Sequence, residues 1–157
     1  MSKSAAWPEA IEIAEAPYCS ELYRRSVALR EAVLRAPLGL ELTEAELADD
    51  EERRHFCATL GGDVVGTVSL QTLDGERLQL RQMAVAENQR RERIGARLLA
   101  RAEDWARREG YRSIVLHARL GAEAFYAKHG YVAEGAPFDE QTIPHISMTK
   151  RLRDQAA

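Results

Sequence analysis

With 157 residues, 45% hydrophobic and 30% charged, the chain has the make-up of one soluble globular domain, residues 1–157, large enough for an enzyme. Its net charge of −3 excludes a global attraction to nucleic acid or to an anionic membrane surface. Cys19 and Cys57 have no CxxC spacing and "MSKSAAWPEA" has no apolar signal-peptide core, so the expectation is a cytoplasmic protein with no disulfide framework, zinc site or membrane span.

Residues 10–16, "AIEIAEA", alternate apolar with acidic and predict a short strand. Ser20 is placed to cap a helix over residues 21–35, with Leu22, Val27, Leu29, Val33 and Leu34 on its apolar face and Pro37 ending it. Thr43 and Glu46 have the spacing of a capping box, which predicts a short second helix. Seven acidic residues crowd positions 41–52: Glu41, Glu44, Glu46, Asp49, Asp50, Glu51 and Glu52. They read as a solvated surface, or as a collar that attracts a cationic substrate.

"HFCATL", Gly61-Gly62-Asp63 and "VVGTVSLQ" read as a hairpin, since glycine takes the positive φ of a tight turn. After Asp74-Gly75, "RLQLRQMAVA" continues as the third strand of an antiparallel meander. A helix from Ile94 follows, with Ile94, Leu98, Ala102 and Trp105 along one face and Gly110 just past its end. "RSIVLHA" is a buried strand, and this strand-helix-strand run predicts a parallel crossover between the third meander strand and residues 112–118. The helix "GAEAFYAKHG" and the strands "YVAEG" and "HISMTKRL" complete an α/β (α+β) order of β-α-α-β-β-β-α-β-α-β-β.

The start of the long helix is chemically odd. A helix N-terminus carries unpaired N–H groups and roughly half a positive charge, yet Arg90, Arg91 and Arg93 crowd this one. A pyrophosphate above residues 89–96 resolves the conflict: backbone N–H groups cradle it, Gly95 permits close approach, and arginines neutralise its outer oxygens. The competing account is a solvated arginine surface balanced by Glu87, Glu92, Glu103 and Asp104.

Strand, "AVAENQRRERIGARLL", long helix and strand resemble the central motif of the GNAT superfamily of N-acetyltransferases, Arg/Gln-x-x-Gly-x-Gly/Ala. The pattern falls on Arg90-Arg91-Glu92-Arg93-Ile94-Gly95, with Arg93 where the first glycine is expected. "ARLGAEAFYAKHGYVAEG" looks like the family's second motif: Ala122, Phe125, Tyr126, Gly130 and Tyr131 match, and Arg119 stands where Asn is usual. "EGAPFDEQTIPHISM" is similar to the ElaA-like branch, in which an "IPH" segment precedes the last strand.

The resemblance implies a mixed central sheet with an antiparallel N-terminal meander, a splayed parallel pair of central strands and flanking helices. It implies acetyl-CoA as acyl donor, held by Met83, Ala84 and Val85, by Arg90, Arg91, Glu92, Arg93, Ile94, Gly95 and Ala96, and by Arg119 and Phe125. Tyr126 matches the tyrosine that protonates or hydrogen-bonds the departing sulfur, a fitting task for a phenol facing a thiolate. Many relatives carry a carboxylate base on the splayed strand, where this chain has Gln82; His145, His117 and Glu140 are the candidates instead, with His145 put forward, and His55 and His129 are less suitably placed.

The function implied is acetyl transfer to a primary amine of a small molecule or peptide by direct attack, without metal and without a cysteine intermediate, by a monomer or homodimer. The acidic collar suggests a cationic, polyamine-like acceptor. The alternative is a non-catalytic acyl-CoA-binding regulatory module, for which Arg93, Arg119 and the missing carboxylate leave room.

Overall fold

The structure, a computed structural model, describes residues 10–152 apart from the side chains of residues 90–92. Strand β1 (Ile11–Glu15) pairs antiparallel with β2 (Arg54–Leu60), β2 with β3 (Asp63–Thr72), and β3 with β4 (Arg77–Val85). Gly61 and Gly62, at φ 60° and 89°, make the β2–β3 turn, where both central residues of a twist-matched hairpin need positive φ. At the next turn the Asp74 carboxylate accepts the N–H groups of Glu76 and Arg77, both at 2.9 Å.

β4 pairs in parallel with β5 (Ser113–Arg119), as the crossover pattern predicts, but only from Arg77↔Ser113 to Leu80↔Leu116. Beyond that point β4 stays with β3, and β5 stays with β7 (Ile143–Arg151). A bulge explains the divergence. Thr67 faces Ala84 while Ser69 faces Arg81, so Gln82 and Met83 share one partner position, and Gln82 takes a φ of 55°. An extra residue bends its strand and raises its twist. β7 lies between β5 and β6 (Val132–Glu140), giving one seven-stranded sheet of order β1-β2-β3-β4-β5-β7-β6. Ile143-Pro144-His145 therefore opens the last strand instead of preceding it.

Helix α3 (Ile94–Arg108) packs on one face of the sheet, where Phe56, Val68, Leu70, Leu80 and Leu116 meet Ile94, Leu98 and Ala102. A Cβ on Gly66 would lie 2.7 Å from Ile94 Cγ2 and 2.9 Å from Leu98 Cδ1, so the missing side chain sets the helix-to-sheet spacing. Gly110, at φ 87°, ends α3 by donating to Arg107 C=O at 3.1 Å. α4 (Glu123–Lys128) adds Tyr126 to the same core. Among the described residues no helix is long and apolar enough to cross a membrane.

Helix α1 (Glu21–Arg30) covers the opposite face and is capped by Ser20 Oγ, which accepts the Tyr23 N–H at 3.1 Å. The expected helix over residues 21–35 is shorter. It widens into a π turn at Glu31–Arg35 and a 3₁₀ turn at Ala36–Leu38, because Pro37 has no N–H for the i−4 carbonyl and its ring crowds that group. Its buried stripe also differs from the apolar one expected: Tyr23, Ser26 and Arg30 point inward. They meet a polar underside, in which Asp50 accepts from Tyr23 (2.7 Å), Arg30 (2.7 Å) and Arg53 (3.2 Å). α2 (Glu44–Asp49) begins with the expected capping box between Thr43 and Glu46.

Candidate active site

Where β4 and β5 part, a cavity of about 570 Å³ opens between them. From Arg81 to Ala84 the edge of β4 facing β5 pairs with no strand, so main-chain groups there face the gap. The N-terminus of α3 closes one end. It has no side-chain cap and no acidic residue in its first turn, so no side chain among the described residues caps its first N–H groups and their partial positive charge.

Arg93 sits at the junction of a 3₁₀ turn (Glu87–Glu92) and α3 with φ 60° and ψ 26°, the left-handed conformation that favours glycine. Its side chain is exposed. Gly95 is needed for a reason the sequence did not show: a Cβ there would lie 3.3 Å from Phe125 Cζ and 3.9 Å from Val85 Cγ2, so its absence lets α4 close against α3.

The expected site residues converge on this cavity. Met83, Ala84 and Val85 line it from β4, Arg93, Gly95 and Ala96 from α3, Phe125 and Tyr126 from α4, Arg119 from β5 and His145 from β7. Ile94 does not; its side chain is fully buried against the sheet. For Arg90, Arg91 and Glu92, the side-chain roles expected from sequence lie outside the described residues.

Tyr126 is 8% exposed, with the ring of Phe125 at 5.0 Å and that of Tyr131 at 5.9 Å. Burial pushes its pKa up to about 12. Its hydroxyl bonds to no other described residue, so a protonated phenol with an unused O–H borders the cavity.

His145 Nδ1 lies 2.7 Å from the Ile143 carbonyl, which can only accept, so Nδ1 carries the hydrogen and the neutral ring keeps its lone pair on Nε2. Phe138 stacks beside it at 6.2 Å. His117 Nδ1 is 2.8 Å from Glu140 Oε1, which orients a second imidazole along the same wall. Gln82 Oε1 is buried without a partner, and an amide does not serve as a base at this position. His55 lies apart in the α1 face: Nε2 donates to Asp50 C=O at 2.9 Å and Nδ1 accepts from Ser69 at 2.7 Å, while burial lowers its pKa. His129 packs on Phe125 at 4.9 Å, and neither Cys19 nor Cys57 lines the cavity.

Three arginines that share this wall come from distant segments. Arg35 holds Glu46 at 2.6 Å, Arg119 Nη2 donates to Leu34 C=O at 3.3 Å, and Arg81 Nη1 donates to Gln79 Oε1 at 3.0 Å. Arg35 and Arg81 were not singled out from sequence. The only signal was the alternation on β4, where Leu78 and Leu80 enter the core and Gln79 and Arg81 take the other face. The acidic segment, in turn, is partly spent: Glu46 pairs with Arg35, Asp49 with Arg53, and Asp50 with Arg30 and Arg53.

The model of the acetyltransferase (GNAT) family matches residues 10–131. Among curated proteins, the uncharacterized Bacillus subtilis protein YyaT is 28% identical over 102 residues, 65% of this chain and 68% of YyaT. Among solved structures, a Lactobacillus plantarum protein classed as an N-acetyltransferase has 26% identity and a TM-score of 0.80, covering 92% of this chain and 99% of its own. Escherichia coli ElaA has 20% identity and a TM-score of 0.75, over 90% of this chain and 99% of its own. A GNAT family acetyltransferase from Elizabethkingia anophelis with acetyl-CoA bound has 20% identity and a TM-score of 0.70, over 90% and 98%. The last two likenesses show the fold alone, and a Staphylococcus aureus acetyltransferase at a TM-score of 0.76 matches as well as ElaA, so no branch stands apart.

Proposed function

Because the chain belongs to the acetyltransferase (GNAT) family, whose acyl donor is acetyl-CoA, we propose that it transfers acetyl to a primary amine of a small molecule by direct attack. One observation carries this reading: the parted strands and the uncapped N-terminus of α3 border the same cavity. The residues present fit the donor. The first turn of α3, which has no side-chain cap, suits a pyrophosphate, and the left-handed backbone at Arg93 bends the chain around that point. The main chain at Met83 and Ala84, on the edge of β4 that leaves β5, suits an extended amide chain added as a strand would be, with Val85 and Phe125 lining the cavity beside it.

Acetyl-CoA supplies the acetyl group already activated as a thioester. In this reading His145 Nε2 accepts the proton that the amine gives up as its nitrogen bonds the carbonyl carbon. Tyr126 O–H donates toward the sulfur as the carbon–sulfur bond breaks. The balance is one amide and one thiol, with both side chains returned to their starting states by proton exchange with solvent. A second reading of the base is favoured by Glu140 beside His117 Nδ1, which would leave His117 Nε2 to take the proton. A placement near ElaA rests on Ile143-Pro144-His145, which sets His145 in the wall.

The test mixes the protein with acetyl-CoA and a broad panel of primary amines and follows free thiol. Amine-dependent thiol release is expected. Calorimetric binding of acetyl-CoA without release across the panel would instead identify a non-catalytic acyl-CoA-binding module.

A further inference from the structure

The wall formed by β5, the upper half of β4 and the π turn carries an excess of positive charge. Strand alternation directs Arg81 and Arg119 to the α1 face, since Leu80 on β4 and Leu116 and Ala118 on β5 enter the core under α3. Arg35 joins them from the π turn, and all three line the cavity. Only Arg35 has a carboxylate at ion-pair distance, Glu46 at 2.6 Å. Among the described residues neither Arg81 nor Arg119 has one. Their single hydrogen bonds go to neutral oxygens, Gln79 Oε1 and Leu34 C=O, and Arg81 Nε is buried without a partner.

Glu140 is the acid whose field reaches both guanidinium groups, but its Oε1 is engaged by His117 at 2.8 Å. Desolvation lowers the pKa of both arginines, and a neighbouring arginine lowers it further: Arg53 for Arg81 and Arg35 for Arg119. Two partly desolvated cations that face one cavity with unused donors, and with no carboxylate at ion-pair distance among the described residues, suit an anion from outside the protein. A guanidinium presents a planar fork of donors that matches a carboxylate in geometry as well as charge.

We propose that Arg81 and Arg119 form a carboxylate-binding site at the acceptor end of the cavity, so that the acetyl acceptor is an amine that also carries a carboxylate, as in an amino acid. This deepens the acetyl-transfer reading and rests on it. It competes with the expectation of a cationic acceptor: Glu46, Asp49 and Asp50 of the acidic segment are held by the protein's own arginines, whereas Glu41, Glu44, Glu51 and Glu52 stay exposed. Arg119, which the family resemblance gives to acetyl-CoA, is in this assignment a residue that binds and orients the acceptor together with Arg81. The amine is left to approach the carbonyl carbon.

The test compares kcat/KM for glycine, β-alanine and γ-aminobutyrate, each beside its carboxamide, and measures binding of the same pairs by calorimetry with coenzyme A present. For at least one chain length the acid should exceed its carboxamide by roughly tenfold or more in both measurements, the gain expected of a charge-assisted pair. Arg119→Gln and Arg81→Gln should each collapse that ratio, and Arg119→Lys should restore part of it. Circular dichroism checks that each variant is folded, and the wild-type ratio needs no variant. Equal use of acids and carboxamides overturns the carboxylate site while acetyl transfer stands. Thiol release with other amines of the broad panel but with none of these acids overturns the carboxylate site while acetyl transfer stands, and bound acetyl-CoA with no release across the whole panel overturns both.

Discussion

Arg30 and Asp50 form an ion pair of 2.7 Å in which the guanidinium is 1% and the carboxylate 0% exposed. It ties α1 to the turn that leads into β2. Arg30 Nε and Nη2 are buried without partners, so the charge has no compensation apart from this aspartate. Asp50→Asn should cost about 3–5 kcal/mol of folding stability, the usual loss when one member of a buried pair is removed. Urea unfolding measures it.

The same pair sets an acid limit. Burial raises the Asp50 pKa, but hydrogen bonds from Tyr23 and Arg30 outweigh burial and hold it below the ordinary carboxylate value. A group depressed on folding contributes stability that is fully present above its unfolded pKa, about 3.9, and lost as pH falls through the folded value. The wild type should therefore lose stability across that acid range, and Asp50→Asn should lose less there. Parallel acid-unfolding curves would contradict this.

Tyr126→Phe removes only the hydroxyl that borders the cavity. If it donates to the departing sulfur, kcat should fall by about a hundredfold or more with little change in the KM for acetyl-CoA. With the wild-type pKa near 12, this phenol causes no alkaline loss of kcat below about pH 10. An unchanged kcat in a folded Tyr126→Phe protein removes the acid role.

The two histidine readings separate by substitution. His145→Gln should lower kcat by about a hundredfold if Nε2 takes the amine proton, and His117→Gln should then do far less. The reverse order of effects selects the His117–Glu140 pair. Steady-state kinetics at saturating donor distinguishes them.

Arg93 holds a left-handed backbone that costs a residue with a Cβ about 1 kcal/mol. Arg93→Gly should raise the melting temperature slightly and keep or improve acetyl-CoA affinity. A large loss of affinity by calorimetry would show that the side chain itself binds the phosphates.

Gly66→Ala tests the spacing of α3 over the sheet. The new methyl would meet Ile94 Cγ2 at 2.7 Å, well inside contact distance, and overpacking of this kind costs about 1–3 kcal/mol. Thermal unfolding reads the loss.

What could be read from the chain was local. The order of elements, the Ser20 cap, the Thr43 capping box and the start of α3 at Ile94 follow from side-chain period and turn chemistry within a few residues. The bulge at Gln82 carries no comparable mark, and Pro37 marks where α1 must break without stating that the break widens into a π turn at Glu31–Arg35. Arg30 illustrates the limit: an inward arginine contradicts an amphipathic helix until Asp50 arrives twenty positions later to accept it. In the site, Tyr126 was legible through a motif, whereas Arg35, Arg81 and Arg119 meet only because a π turn, a bulged strand and a parted strand converge. No spacing in the sequence states which charges will share a wall.

β7 is the last described strand, yet it lies inside the sheet between β5 and β6. During synthesis, then, the edge of β5 away from the gap has no partner until the closing segment emerges, and β6 must wait for a neighbour made after it. Such late, long-range pairing slows completion of the fold. The wall of the cleft that carries His145 is thus the final part to take shape, and a chain stalled before Ile143 would have its helices and meander but a β5 with one bare edge and no His145 to share the cavity with Tyr126.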